Sequence, residues 1–522
     1  MAVTVPGTGG GIITLTGGEG DTLGLAQQLS TQLTALSISG SLLISSDSRD
    51  GAIAVTAAST TTGGTQTYVV LNGSGSVNAT VPGGYDYIIG DKTAPSTIIG
   101  SNTTVLTNTV GATVEVTGAG TIAATGGDNL LSGIGTYVIS SGDGADTLLG
   151  TGAGTLAGGG GTNVVVAIGA NTVISEGNAD LIISETGSNS VVSSGNNVGI
   201  LAGSGEMFVS VSGSGAVVSS GNAQVNVTTT GSGGNFFGGT GSSAGGINVV
   251  DGGANNTIST FDSNSNVSTG GSNALVFGGT GALNADLAGS NDTVIGGSGP
   301  ATINASGNAM VFGGAGHIDF VGGAGTATLL GATGSSETIM VGSGGVLFSA
   351  GTSNSSTVTA GAGATTLFGG TGSDINFVGS GAGFIFVGGS GPQTINASGS
   401  STANTFSAGS EPSAELRMIG GSGEDLMFAG PGSSTLTGGG NEDVFAFFNS
   451  STDGQGNVVT DFDSSGDIVV FSGYSTTQSA SSLQDAAIVN GSGVTLTLSD
   501  STTVTFSNLT DSAQLNGRIL YG

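Results

Sequence analysis

The chain has 522 residues, 105 of them glycine, with no cysteine, no tryptophan and only 7% charged side chains. Its 34 acidic residues against four basic ones (Arg49, Lys92, Arg417 and Arg518) give a formal net charge of −30, which repels nucleic acid and anionic membranes and leaves cations as natural partners. Scarce proline and irregular glycine spacing exclude a collagen helix, and recurrent Val, Ile, Leu and Phe clusters exclude a disordered chain, so the composition is that of a folded, β-rich repetitive protein.

The start, "MAVTVPGTGGGIITLTGGEG", lacks the basic stretch and long apolar core of a cleaved signal peptide, and no apolar run reaches the length of a membrane span. The expectation is a soluble chain without membrane insertion, either cytoplasmic or exported without a cleaved leader. In "DTLGLAQQLSTQLTALSI", Leu25, Leu29, Leu33 and Leu36 fall at helical spacing behind Asp21 as N-cap, predicting one amphipathic helix over about residues 21–38. Its expected task is to cover the open end of a β-stack. The following stretch, Thr67 to Gly100, alternates apolar and polar residues between Gly and Pro turns, as strands do.

From Val114 a beat sets in: two to four apolar β-formers, then a Gly-rich turn, every eight to ten residues. Stacked repeats bury a core that no single repeat could form. The predicted fold is all-β, a parallel β-solenoid of β-roll or β-helix type. The chain then reads as an N-terminal cap or assembly region (1–113), a solenoid (114–235), Gly-rich nonapeptide-like repeats (236–447) and a C-terminal β cap (448–522). Between Gly278 and Ile339 the beat tightens to nine residues, and "GGSGPATINASG" from Gly296 nearly repeats as "GGSGPQTINASG" from Gly388.

"GGSGEDLMF", Gly420 to Phe428, is followed by two more phrases of the same length, the third restoring the acidic position with Asp443. These phrases resemble the repeats-in-toxin (RTX) family of calcium-binding nonapeptides, GGxGxDxUx with U a large apolar residue. The resemblance implies a β-roll in which two nonapeptides form one coil and the GGxGxD turns hold Ca²⁺. Asp425 and Asp443, two nonapeptides apart, are then expected on the same edge of successive coils, with peptide oxygens around Gly420, Ser422, Gly438 and Gly440 completing the six to eight ligands calcium needs. A second, poorer pair is Asp128 with Asp146, flanked by Gly142 and Gly144. The alternative for each pair is a solvated turn aspartate. Asp292 and Asp374 also hold the sixth place, have no acidic neighbour two nonapeptides away on either side, and read as ordinary turn residues.

The end of the chain extends the resemblance: "TDFDSSGDIVVF" looks like the segment that closes the roll in type I-secreted RTX proteins, whose export signal is uncleaved and C-terminal. "GSGVTLTLSDSTTVTFSNLT" reads as a hairpin around "SDST". Catalysis has little footing: there is no cysteine, and the one histidine, His317, lies in a turn. The expected function is an extracellular, self-assembling structural protein of a surface layer, filament or biofilm matrix, with a few Ca²⁺ clamps. Its partners would be copies of itself, cell-surface polysaccharide and, transiently, the type I secretion machinery. An RTX-type adhesin that binds a surface or glycan is the alternative, and a polysaccharide-active β-helix enzyme stands behind it.

Overall fold

The computed structural model describes residues 2–7, 12–16, 20–40, 42–58, 65–240, 245–352, 355–372, 374–379, 383–409, 415–449, 455–474 and 478–522. It is an all-β parallel solenoid, as the periodicity predicts, divided into two compact units, Met1–Ser265 and Asn266–Gly522.

In the first unit the parallel ladder begins earlier than the beat in the sequence. Strand Leu42–Asp47 pairs with Gln66–Gly73, which pairs with Tyr87–Lys92. From Thr113 to Ser175 each coil is one long strand, with Leu130 opposite Thr147 and Thr147 opposite Val164, a repeat one residue short of two nonapeptides. These strands turn a corner at stacked glycines: Gly135 and Gly152 are opposite one another with φ of 110° and 127°. A Cβ at Gly135 would stand 2.7 Å from the Gly118 carbonyl oxygen of the previous coil, so both conformation and space demand glycine. Beyond Ser175 each coil carries two short strands, and every strand pairs with the second one along, as Leu181–Thr186 does with Gly199–Ala202. The result is two facing sheets with period-two burial.

The predicted helix is Gly20–Ile38. It starts before Asp21, whose side chain lies outside the described residues, so the cap expected there is not described. Its placement differs from the expected end cap. Leu29 and Leu33 pack with Val5 against Tyr68, Val70, Ile89, Leu106 and Ala123, and the last four lie opposite one another in successive coils. The helix thus runs along the flank of a sheet. Thr67 to Leu71 are buried at five consecutive positions, so both faces of that strand need cover, and the helix supplies one of them.

In the second unit one sheet contains Leu283–Leu287, Ala301–Ala305 and Ile318–Gly322, and the other contains Asp292–Ile295, Ala309–Phe312 and Ala327–Leu330. Inward side chains stack coil on coil: Leu329, Phe348, Leu367, Phe386 and Phe406 occupy one column. Phe384 stacks on Phe377 at 4.1 Å and meets Phe406 edge-on at 5.5 Å. At the C-terminal end, Thr503–Phe506 pairs in parallel with Gly456–Val459 and antiparallel with Gly493–Thr497, which realises the predicted hairpin. A sheet whose last strands reverse direction no longer offers a parallel edge to extend.

Phe406→Ala removes a side chain with no exposure and leaves its ring partner Phe384 facing a void. We expect the second unit to lose roughly 3–5 kcal/mol, read as a lower urea midpoint in circular dichroism.

Candidate functional site

Sequence and structure agree that Asp425 and Asp443 occupy equivalent places in successive coils: Leu426 lies opposite Val444, two nonapeptides further on. Each sits at the corner just before a strand, where the backbone amide points along the stacking axis and cannot be met within its own coil. The corner side chain of the next coil meets it. Asp425 Oδ1 accepts the Asn404 amide at 2.8 Å, Asp443 Oδ1 accepts the Asp425 amide at 2.8 Å, and Asp467 Oδ1 accepts the Asp443 amide at 2.9 Å. Below them Asn404 Oδ1 accepts from the Phe384 amide at 3.2 Å. The site is therefore a buried polar ladder, with Asp425, Asp443 and Asp467 each no more than 2% exposed.

This ladder explains the glycines of the motif. The Asp425 carboxylate folds back to accept the Gly421 amide at 2.7 Å, and a Cβ at Gly420 would collide with its Oδ2, as one at Gly438 would collide with Asp443 Oδ2. The Gly438 and Gly439 amides instead donate to Asp461, each at 2.8 Å. Gly440 donates to the Gly421 carbonyl at 2.9 Å, and the Ser422 carbonyl accepts from Asn441 Nδ2. Of the peptide oxygens expected to face a cation, the Ser422 carbonyl thus links one coil to the next.

A similar ladder runs through the first unit, and it corrects the pairing of Asp128 with Asp146. The coil there is one residue shorter than two nonapeptides, so Asp146 aligns with Asn129. Asp146 Oδ1 accepts both the Asn129 amide at 2.7 Å and its Nδ2 at 3.0 Å. Asp128, with φ of 61°, is an outer turn residue whose Oδ1 accepts the Ala145 amide at 3.0 Å. Gly142 and Gly144 stack on the preceding turn, and the Gly144 carbonyl accepts from Thr162 at 3.2 Å. The ladder continues with the Asp146 amide to Asn163 Oδ1 at 3.1 Å and the Asn163 amide to Asp180 Oδ1 at 2.7 Å. Asp292, read from sequence as an ordinary turn residue, is fully buried and accepts from the Ala274 amide at 2.9 Å and the Thr269 hydroxyl at 2.6 Å. The Asp374 side chain lies outside the described residues. What marks the ladder residues in sequence is an Asn or Asp immediately before an apolar strand, as in "DNLLSG", "ADTLLG" and "TNVVVA".

Asn and Asp are not equivalent electrostatically. An Asn below an Asp donates its amide side chain as well as its backbone N–H, as Asn129, Asn163 and Asn404 all do. An Asp below an Asp donates only the N–H. The first unit alternates Asn129, Asp146, Asn163, Asp180, whereas the second runs Asp425, Asp443, Asp467 without a break. Burial pushes Asp146 up to about 6. Asp443 is pushed up to about 7, first by burial and then by the charges of Asp467, Asp425 and Asp461, against the lowering effect of the Asp425 amide.

At Asp425 the hydrogen bonds already made compete with a cation. Asp425 spends both oxygens on the Asn404 and Gly421 donors, so calcium there would have to displace amides. Among the described residues no three acidic or imidazole side chains are placed to hold a metal. One acidic turn has a built-in cation: Arg518 donates to the Ser464 carbonyl at 2.9 Å, the Gly466 carbonyl at 3.3 Å and the Ser465 carbonyl. Asp463 in that turn is held below the usual carboxylate range, chiefly by the Ser465 amide and hydroxyl and further by Arg518.

His317 has partners that the sequence did not reveal. Its Nδ1 lies 2.7 Å from Ser336 Oγ and its Nε2 lies 2.9 Å from Asp319 Oδ1. The row has the residue types of a hydrolytic triad, but the His317 and Asp319 side chains are 42% and 48% exposed on an outer sheet face, where water competes for both bonds. Among the described residues no helix is long and apolar enough to cross a membrane.

Because the folded-state value of Asp443 lies above the ordinary value of about 3.9, folding takes up a proton between these two values. The contribution of Asp443 to the stability of the second unit is expected to be greatest below about pH 4, to shrink up to about pH 7 and to level off above. Asp443→Asn keeps the acceptor for the Asp425 amide and removes the charge, so it should raise the melting temperature at pH 8 and flatten the pH profile; an unchanged profile would refute the assignment. No family model matches the chain, and no curated protein or solved structure matches it.

Proposed function

We propose that this chain is an extracellular structural protein whose copies assemble into a surface layer, filament or matrix. The observation that carries the reading is that, in each unit, almost every strand is spent on coil-to-coil parallel pairing and the corners are closed by buried side-chain ladders. Such a design makes each unit a stack in which every coil is held by its neighbours. The net charge of −30 suits a surface bathed in cations. Export by a type I system is supported by the likeness of "GGSGEDLMF" and "TDFDSSGDIVVF" to the repeats and closing segment of RTX proteins.

Electron microscopy of the purified full chain, with millimolar calcium and with a chelator, tests the reading. Ordered sheets or fibres are expected. Persistent monomers that bind glycans in both conditions would overturn it in favour of an adhesin, and the chelator arm reports whether the Asp425–Asp443–Asp467 run responds to cations.

A further inference from the structure

We infer that the outer face of one sheet of the second unit, carried on alternate strands from Leu275–Phe277 to Leu426–Ala429, is a dry interface for the same face of a second copy of this chain. This deepens the scaffold reading and rests on it, naming the surface through which copies meet.

The face is apolar where solvent would demand polar groups. Phe312, Leu330 and Phe368 are 36%, 39% and 41% exposed and belong to one column, interrupted by Ser349. A patch of this kind on a soluble protein marks an interaction site. The opposite sheet is different: its outward residues include Asp286, Asn304 and Asp319, with Asn304 donating to Asp286 at 2.7 Å along the stack, although Val321 and Met340 also lie there.

Three features commit the face to a second copy. The first is shape. In the neighbouring outward column Met310, Leu347 and Ile385 alternate coil by coil with half-buried Thr328 and Thr366. Large side chains thus recur every second coil, about 9.6 Å apart at a strand spacing of about 4.8 Å, with holes between. An identical column displaced by one coil places its large residues in those holes, the packing of a steric zipper. The second feature is charge: copies carrying −30 repel one another, and the outward positions of these strands carry no charged side chain, so this face lets two copies approach without opposing carboxylates. The third is size. The columns run for about 40 Å at the usual strand spacing, and with a width of roughly 12 Å they bury on the order of 1,000 Å² over both copies, the lower bound for a specific interface. At one end an apolar hollow of about 430 Å³ is lined by Phe428, Pro431 and Phe448.

The test uses the full chain in sedimentation velocity. Leu330→Glu with Phe368→Glu puts charge on the face, and Thr338→Glu with Asn376→Glu adds the same charge to the exposed opposite sheet. The first pair should weaken self-association at least tenfold and the second less than threefold, with superimposable circular dichroism. Thr328→Leu with Thr366→Leu fills the holes while making the face more apolar. It should also weaken association at least tenfold, whereas stronger association would mean generic stickiness and overturn the zipper. Unchanged association in the Glu variants of the face overturns the proposal, as does a wild-type monomer that binds phosphatidylcholine vesicles instead. Electron microscopy separates the two readings: fibres or sheets that persist in the face variants reject this surface and leave the scaffold standing, and a wild-type chain that never assembles rejects both.

Discussion

A backbone amide at the corner of a coil has no partner in its own coil, and the architecture of both units follows from how that amide is met. Strand amides find carbonyls in the neighbouring coil through the parallel ladder. Corner amides find an acceptor in a backbone carbonyl of the next coil, as Leu283 does at Pro300 and Ala301 at His317, or in a short polar side chain that the next coil brings to the same place. Asn129, Asp146, Asn163 and Asp180 in one unit and Asn404, Asp425, Asp443 and Asp467 in the other do so. An unmet buried amide costs about 1–3 kcal/mol, so a polar corner residue adds to the register that the apolar core sets. Coil length can then vary in the turns, one residue shorter at Thr147 than at Val444, so long as the corner residue returns to its place.

The same geometry gives the acidic residues two distinct roles. Outside the ladder they are turn and surface charges, as at Asp128 and Asp286. Inside it, Asp does the work of Asn and brings a charge that the hydrogen bond does not require. Alternation of Asn with Asp supplies an extra amide donor to each carboxylate and separates the charges by two coils. In the Asp425–Asp443–Asp467 run only Asp425 keeps that donor, from Asn404, and the charges stand in successive coils, at the end where Arg518 clasps the neighbouring turn. Charge is thus concentrated toward that end by placement within a uniform backbone plan.

Much of this was legible in the sequence. The period of the apolar clusters carried the solenoid, the two-nonapeptide spacing carried the stacking of Asp425 on Asp443, and "VTLTLSDSTTVTF" carried the terminal hairpin. The pairing of Asp128 with Asp146 went wrong because a motif spacing was applied where the coil is one residue shorter, which only the strand register reveals. Asn129 and Asn404 escaped notice because Asn before a strand looks like any turn residue until its neighbours along the axis are known. The helix showed its apolar face but not what it would cover. The outward apolar columns were hidden for a related reason: an apolar run such as "ATLL" or "FIFV" does not tell a strand covered on both faces from one with a face left open.

The direction of the ladder has a mechanical consequence within each unit. Strands lie across the stacking axis, so a pull along that axis loads the hydrogen bonds of one coil at a time and peels the stack from its end. A pull along the strands shears many bonds at once. A solenoid of this kind is therefore weak in tension along its axis and strong across it. Its resistance to peeling rests on the terminal coil, where an antiparallel hairpin and the grip of Arg518 on three carbonyls hold the first bonds that such a load would meet.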